Sequence, residues 1–376
     1  MKRLVRLLLL AGAFAAAAGA AEKPPVRDLS GDAKHVVVAA RPGFFCGWPA
    51  NEGIWAWGNE ILVGFYLAPY RYNPKGHSVD GSKPGVDAFA RSLDGGETWS
   101  FEPASYDSRA VSSDGCETWS YDKKAKKLTR PLDFSRPGFA MKLRNGRMYC
   151  SYDRGRSWGG PFRLRVEGID RPLRARTDYI VEGAEQAKIF LPTLKSDGAS
   201  GRSLMAETTD GGQSFHFVGW LAPEPEMPKV NSKHSFSIMP STVKLPDGTF
   251  VTALRERRGK KKWIEIRRSA DGGRTWEPLS IPSRMAWNPP SLIRLADGRL
   301  CLTYGDRCKP YSIRARLSGD GGRSWGPVLI LRRDAASWDM GYVRSVQRPD
   351  GKIVTLYYHT TAEHPEQFIA GTVWQP

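Results

Sequence analysis

The sequence predicts an all-β fold made of about six repeated four-stranded units, and three observations carry that prediction. An eight-residue phrase recurs at Ser92 to Trp99, Ser151 to Trp158, Thr208 to Phe215, Ser269 to Trp276 and Ser318 to Trp325, reading hydroxyl, any, Asp, any, Gly, any, Ser or Thr, aromatic. Its aspartates, Asp94, Asp153, Asp210, Asp271 and Asp320, are spaced 49 to 61 residues apart, the signature of a repeat architecture. Three turns, Pro246-Asp247-Gly248, Ala296-Asp297-Gly298 and Pro349-Asp350-Gly351, sit between apolar-rich runs, a strong hairpin signal. With 39 Gly, 27 Pro and 13 Trp, and no long apolar stretch of period 3.6 after the N-terminus, helix is expected to be scarce.

The repeated phrase has the chemistry of a tight turn between two strands. Asp tolerates turn geometry and its carboxylate bonds backbone N–H groups just ahead, Gly supplies a positive φ, and the hydroxyls close further local bonds. The last aromatic enters the next strand facing inward, where burying it contributes roughly 4–6 kcal/mol gross. Calcium loops gather several carboxylates at alternating positions. Each turn here carries one, so the phrases read as staples and no metal is expected.

These five phrases resemble the Asp boxes of the sialidase-like (BNR repeat) β-propeller family. The resemblance implies a six-bladed β-propeller with four-stranded antiparallel blades. It places the boxes on the rim and the active site at the other face of the central channel, with no cofactor.

At the N-terminus Lys2, Arg3 and Arg6 precede the apolar run Leu7 to Ala18 and a small-residue end at Ala20-Ala21. That pattern reads as a secretory signal peptide over residues 1–21. A linker is expected over 22–34 and the propeller over 35–376, with the mature chain exported to the periplasm or the extracellular space. No membrane span is expected in the mature form. Loss of the three basic leader residues takes the formal charge from +17 to +14, which favours anionic partners. A glycan, anionic in character, is the expected partner; no nucleic-acid motif is present, and a monomer is expected. Five cysteines at unpatterned spacing allow at most two disulfides and assign none.

Taken in order, the first unit has strands at Gly53 to Trp55, Glu60 to Leu67 and Val86 to Ser92. The second holds the loop-rich Tyr106 to Lys127 and the turn Asn145-Gly146. The third has Asp178 to Val181, Lys188 to Leu194 and Leu204 to Thr208. Ser112 to Trp119 resembles a sixth box with Cys116 in place of Gly, too close behind Asp94 to mark a blade. Units four to six place second strands at Thr249 to Leu254, Arg299 to Tyr304 and Lys352 to Tyr357. Third strands follow at Trp263 to Arg268, Ser312 to Leu317 and Gln367 to Trp374, and Lys260-Lys261-Lys262 forms a hairpin tip. The last unit has no box, so in a propeller His35 to Ala39 would supply its outer strand and close the ring.

Aligning the three Asp-Gly turns exposes positions that break the repeat. Eight residues before the turn Asp stand Met239, Pro289 and Tyr342; ten residues after it stand Arg257, Arg307 and Thr360, with Arg255 two residues earlier in its unit. First-strand starts and second-strand ends lie at the same end of antiparallel blades, so Tyr342, Arg257 and Arg307 are predicted on one face, opposite the boxes.

The family resemblance gives these residues roles. Sialidases hold a sugar carboxylate with arginines, whose guanidinium matches it bidentately. They use a Tyr nucleophile backed by a Glu, and an Asp as acid and base. Gly341-Tyr342-Val343-Arg344-Ser345 resembles the stretch that bears the nucleophile, and His77-Ser78-Val79-Asp80 the loop that bears the acid. The resemblance thus implies Tyr342, Asp80 and Glu256 as catalytic, and Arg255, Arg257, Arg307, Arg41 and His77 as substrate-binding. Trp48, Asn51 and Trp57 read as a sugar platform, since an indole face stacks on sugar C–H groups. The chain departs from the family pattern where an Arg-Ile-Pro phrase would open the first blade; Cys46-Gly47-Trp48-Pro49-Ala50-Asn51 stands there. It also has no Glu at Ser237-Ile238-Met239-Pro240, where the fourth blade begins.

Overall fold

Short β-branched and aromatic runs, punctuated by Asp-Gly and Gly-rich turns, pair with their sequence neighbours into antiparallel sheets. The computed structural model describes residues 24–108, 125–225, 234–285 and 288–376. They form a six-bladed β-propeller whose one α-helix among these residues is the four-residue turn Pro49–Glu52. Residues 1–21, expected as a signal peptide, and the box-like Ser112 to Trp119 lie outside the described residues.

The fourth blade shows the plan: Ser235–Lys244 innermost, then Phe250–Arg258, Lys261–Ser269 and Glu277–Ser283. The third runs Tyr179–Val181, Ala187–Leu194, Ser200–Thr208, His216–Trp220, and the fifth Ser291–Arg294, Leu300–Asp306, Ser312–Ser318, Val328–Arg332. The sixth has Gly341–Gln347, Ile353–His359 and Phe368–Trp374. Its outer strand is Lys34–Ala39, with His35 opposite Thr372 and Val37 opposite Ala370, so the ring closes as the sequence predicts. The stretch 22–34, expected as a linker, contributes Val26–Asp28 as an extra strand parallel to Val328–Arg332 on the fifth blade. The first blade has Glu60–Pro69, Val86–Ser92 and Ser100–Pro103, and its inner strand is split into Phe44–Gly47 and Ile54–Trp57 by the short helix.

The second blade departs from the plan. Arg147–Ser151 runs directly into the box at Ser151, so the Asn145-Gly146 turn lies at the end opposite the boxes, unlike the three Asp-Gly turns. Ala140–Arg144 is therefore the innermost strand among the described residues of a three-stranded sheet, with Gly159–Arg163 outside. Its inward N–H groups still need acceptors. Met141 N donates to the Tyr179 hydroxyl at 3.2 Å and Leu143 N to Thr177 Oγ1 at 3.1 Å, side chains lent by the third blade. Beside it lies a buried ion cluster, in which Lys142 Nζ is 2.6 Å from Glu52 and 2.5 Å from Asp87, and Arg144 pairs with the same two carboxylates.

Six apolar clusters of the described residues each lie between consecutive blades. The box aromatics enter them in register: Trp99, Trp158, Phe215, Trp276 and Trp325 each pack into the interface with the preceding blade. Within the phrase at Asp320, Oδ1 accepts from Ser318 Oγ at 2.8 Å and Ser324 N at 2.9 Å, Oδ2 accepts from Ser324 Oγ at 2.5 Å, and Gly322 N donates to Ser318 Oγ at 2.9 Å. The other four repeat this pattern. The two residues after each box Asp hold positive φ; both are glycines except in the second box, where Arg154 adopts φ 60°.

Candidate active site

At the end of the blades opposite the boxes, three inner segments each hold a bulky residue in the left-handed region: Trp48, just after Phe44–Gly47, at φ 58°, Met239 within Ser235–Lys244 at φ 58° and Tyr342 within Gly341–Gln347 at φ 53°. Side chains with a Cβ rarely accept that conformation, and such strain concentrates at functional sites. At Met239 and Tyr342 the strand pairing skips, between Ile238 and Ser241 and between Gly341 and Arg344. Asn288 holds the second bulge: its Oδ1 accepts from Tyr342 N at 3.2 Å, and it packs so closely on Gly341 that a Cβ there would come within 2.6 Å.

The throat beneath is closed by two buried arginines. Arg176 donates to Pro240 O at 2.6 Å, Ala50 O at 2.9 Å and Pro290 O at 3.2 Å, tying the third blade to the fourth, first and fifth. Arg344 from the sixth blade donates to Ala50 O at 3.0 Å and lies 3.5 Å from Asp178. Burial drives both guanidinium pKa values down and the Asp178 carboxyl up.

Tyr342 caps this throat, 8% exposed. Arg255 lies beside it, with Nη1 3.8 Å from Met239 Sδ, and burial, partly offset by Tyr342, lowers the Arg255 pKa. The Arg307 guanidinium lies 5.7 Å from its ring centre and the Tyr358 ring 5.7 Å away. Arg307 is itself anchored, donating to Met340 O at 3.1 and 3.0 Å and to the Tyr358 hydroxyl at 2.5 Å. Arg257 follows Arg255 on the same side of its strand and bonds Gly259 O at 2.8 Å. Lys262, opposite Arg257, is pushed down to about 8 by burial first and then by the charges of Arg257, Arg255 and Arg307, so the four cations share one field.

His77 reaches the same place from the loop between Glu60–Pro69 and Val86–Ser92. Its Nδ1 is 2.6 Å from Asp339 Oδ1, and its ring is edge-on to Trp48 at 5.1 Å and to Tyr342 at 6.2 Å. Trp48 stacks on Tyr66 at 5.2 Å, and its Nε1 is buried without a partner. Asn51, in the short helix, likewise buries an unpaired Oδ1.

Three candidates sit elsewhere. Glu256 alternates with Arg255 and Arg257 and so faces the third blade, pairing with Arg258 at 2.9 Å; burial pushes its carboxyl up to about 7. Asp80 closes an Asx turn on Ser82, at 3.1 Å to N and 2.7 Å to Oγ, and those bonds hold its carboxyl below the usual range. Its nearest cations are Arg71 and Lys83, each 3.9 Å away. Arg41 lies over the Phe44 ring at 4.7 Å and lines a separate cavity of about 340 Å³ with Asp87 and Tyr106. Residues that the sequence reading missed are Asp339, Tyr358, Asn288, Arg176, Asp178 and Lys262. Asp339 stands three residues before Tyr342, a position at which the aligned repeats supply no signal.

Among the described residues no group of three or more His, Cys, Asp or Glu side chains could hold a metal, and no helix is long and apolar enough to cross a membrane. The four described cysteines are unpaired.

A model of the BNR repeat-like domain matches residues 104–355. No curated protein matches the chain. Among solved structures, it is similar to a protein of unknown function from Dyadobacter fermentans at 21% identity and TM-score 0.66, covering 90% of this chain and 97% of that one. It is similar to the α-L-arabinofuranosidase of Fusarium graminearum, solved with arabinobiose, at 11% identity and TM-score 0.53, covering 91% and 97%. The Trypanosoma rangeli sialidase, solved with sialic acid, is 14% identical at TM-score 0.54, covering 92% of this chain and 59% of that one. At these identities the likeness is one of fold.

Proposed function

This chain belongs to the BNR repeat-like domain family, and on that premise we propose that it is an exported glycoside hydrolase acting on anionic glycans, in the form of an exo-α-sialidase that releases terminal sialic acid or a similar acidic sugar. The observation that carries this reading is Tyr342, held in a strained conformation at the channel mouth with the Arg307 guanidinium over its ring and Arg255 beside it. A phenol suits attack beside a substrate carboxylate, which would repel a carboxylate nucleophile. Arg255 and Arg307, with Arg257 and Lys262 at the rim, supply positive charge for that carboxylate, and the charge developing on the attacking oxygen meets the same cations. The Trp48 face stacked on Tyr66 offers an apolar wall for the sugar ring.

A second reading, hydrolysis of a different glycan on the same propeller, is favoured by one observation: Glu256, the residue expected to back the nucleophile, faces away from Tyr342 and pairs with Arg258. The test is hydrolysis of a panel of aryl glycosides, sialoside included, by the mature chain. Cleavage of the sialoside supports the first reading, cleavage of another glycoside alone supports the second, and binding without cleavage of any overturns both.

A further inference from the structure

We infer that His77, with its tautomer fixed by Asp339, is the proton-transfer group of this site, the role that the sialidase resemblance gives to Asp80; the inference rests on the glycoside-cleavage reading above. Asp339 is 2% exposed and organises the loop as well as the ring. Its Oδ1 lies 2.6 Å from His77 Nδ1 and accepts from the Tyr358 hydroxyl at 2.6 Å, while its Oδ2 accepts from Gln367 Nε2 at 3.1 Å and from Ser78 N at 3.3 Å. Arg307 stands 3.7 Å from the same carboxylate. Burial pushes this carboxyl up, but the bond from His77 and the nearby charges outweigh it and hold it below the ordinary range. An ionised Asp339 accepts the Nδ1–H hydrogen bond and keeps that proton on the ring, which leaves Nε2 as the nitrogen that gains and loses a proton.

His77 keeps 33% of its side chain exposed, so solvent and substrate reach it. Its ring stands between Trp48 at 5.1 Å, Tyr342 at 6.2 Å and Trp338 at 6.3 Å, beside the phenol where the sugar would react. The carboxylates named for the site are otherwise engaged: Asp80 in its turn with Ser82, Glu256 on the far side of its strand, Asp339 by its four donors.

In the first step the Nε2 proton passes to the glycosidic oxygen as the bond from that oxygen to the anomeric carbon breaks, and the electron pair stays with the departing oxygen. The Tyr342 oxygen bonds to the anomeric carbon, and the phenolic proton goes to bulk water. In the second step a water attacks the anomeric carbon and Nε2 takes one of its protons. The Tyr342 oxygen leaves and recovers a proton from bulk water. One water is consumed for each bond cleaved, and His77 is restored.

The test compares wild type, His77→Gln and Asp339→Asn on 4-nitrophenyl and methyl α-sialosides, with thermal melting as the check on folding. A nitrophenol needs little protonation to leave, and methanol needs it fully. His77→Gln should lose at least about 100-fold in kcat/KM on the methyl glycoside and less than about 10-fold on the nitrophenyl one. Asp339→Asn should show the same leaving-group pattern more weakly, as expected of a positioning residue. Equal losses on both substrates, or none, overturn the proton-transfer role while leaving the cleavage reading intact. A wild-type chain inert to both overturns the sialoside reading and this inference with it.

Discussion

The two ends of the propeller obey different rules. At the box end the five phrases repeat one hydrogen-bond pattern, and each aspartate is satisfied within its own turn. At Asp94 and Asp153 burial pushes the carboxyl up, but the hydroxyl and N–H of Thr98 and Ser157 outweigh it and hold it at about 2; at Asp320 Ser324 does the same, down to about 2. At the mouth end the blades present different side chains at matching positions, Met239, Pro289 and Tyr342. Inner strands bulge at Met239 and Tyr342, four cations crowd one rim, and buried polar atoms of Trp48, Asn51 and Asn288 lack partners. Groups that complete their bonding locally stabilise the fold, whereas groups left short of partners are ready to meet a ligand.

The comparison can be broken first at the throat, where the two ends meet on the axis. Arg176→Met removes three bonds to carbonyls of three other blades, Ala50 O keeping its bond from Arg344 while Pro240 O and Pro290 O lose this donor, a loss of about 3–5 kcal/mol. Urea denaturation should show this as a lower midpoint; a change under about 1 kcal/mol would mean that the throat does not hold the blades together.

Glu256 sharpens the contrast by its pH dependence. Its folded value of about 7 lies above the ordinary carboxyl value of 4.5, so the folded state binds the extra proton between those limits, and stability falls as pH rises from about 4.5 through 7. The total is about 3 kcal/mol, and Glu256→Gln should remove it, flattening the melting temperature across that window. The box aspartates run the opposite way, since their depressed carboxyls contribute stability above pH 4 that is lost as pH falls toward 2.

Lys262 gives the smallest effect. It loses its charge as pH rises through about 8, so inhibition by an anionic sugar acid should weaken several-fold between pH 7 and 9, and Lys262→Met should abolish that part of the pH dependence. An unchanged inhibition constant across that range would separate Lys262 from the anion site.

Much of the box end was legible in the sequence because its chemistry is local: a turn Asp, its hydroxyls and a positive-φ glycine lie within eight residues. The mouth was legible only as a face. Antiparallel alternation brought Tyr342, Arg255 and Arg307 together from three blades, and the same alternation set Glu256 on the other side of Arg255, a parity readable from Leu254 to Arg258. Asp339, Asn288 and Arg176 could not be read this way, since their partners lie between 19 and 262 residues away, on other elements. The second blade hid its plan for a related reason. Its inner edge is completed by Thr177 and Tyr179 from the next blade, and a hairpin signal such as Asn145-Gly146 does not say at which end of a blade it lies.

The central claim, that the box end holds the ring and the mouth end carries the chemistry, is tested most directly by measuring kcat and melting temperature together for Tyr342→Phe and Asp320→Asn on the glycoside that the wild type cleaves. The account predicts that Tyr342→Phe loses at least about 100-fold in kcat, about 2.7 kcal/mol in barrier, at an unchanged melting temperature. Asp320→Asn should keep kcat and melt several degrees lower. Wild-type turnover in Tyr342→Phe, or lost turnover in a fully folded Asp320→Asn, would contradict it.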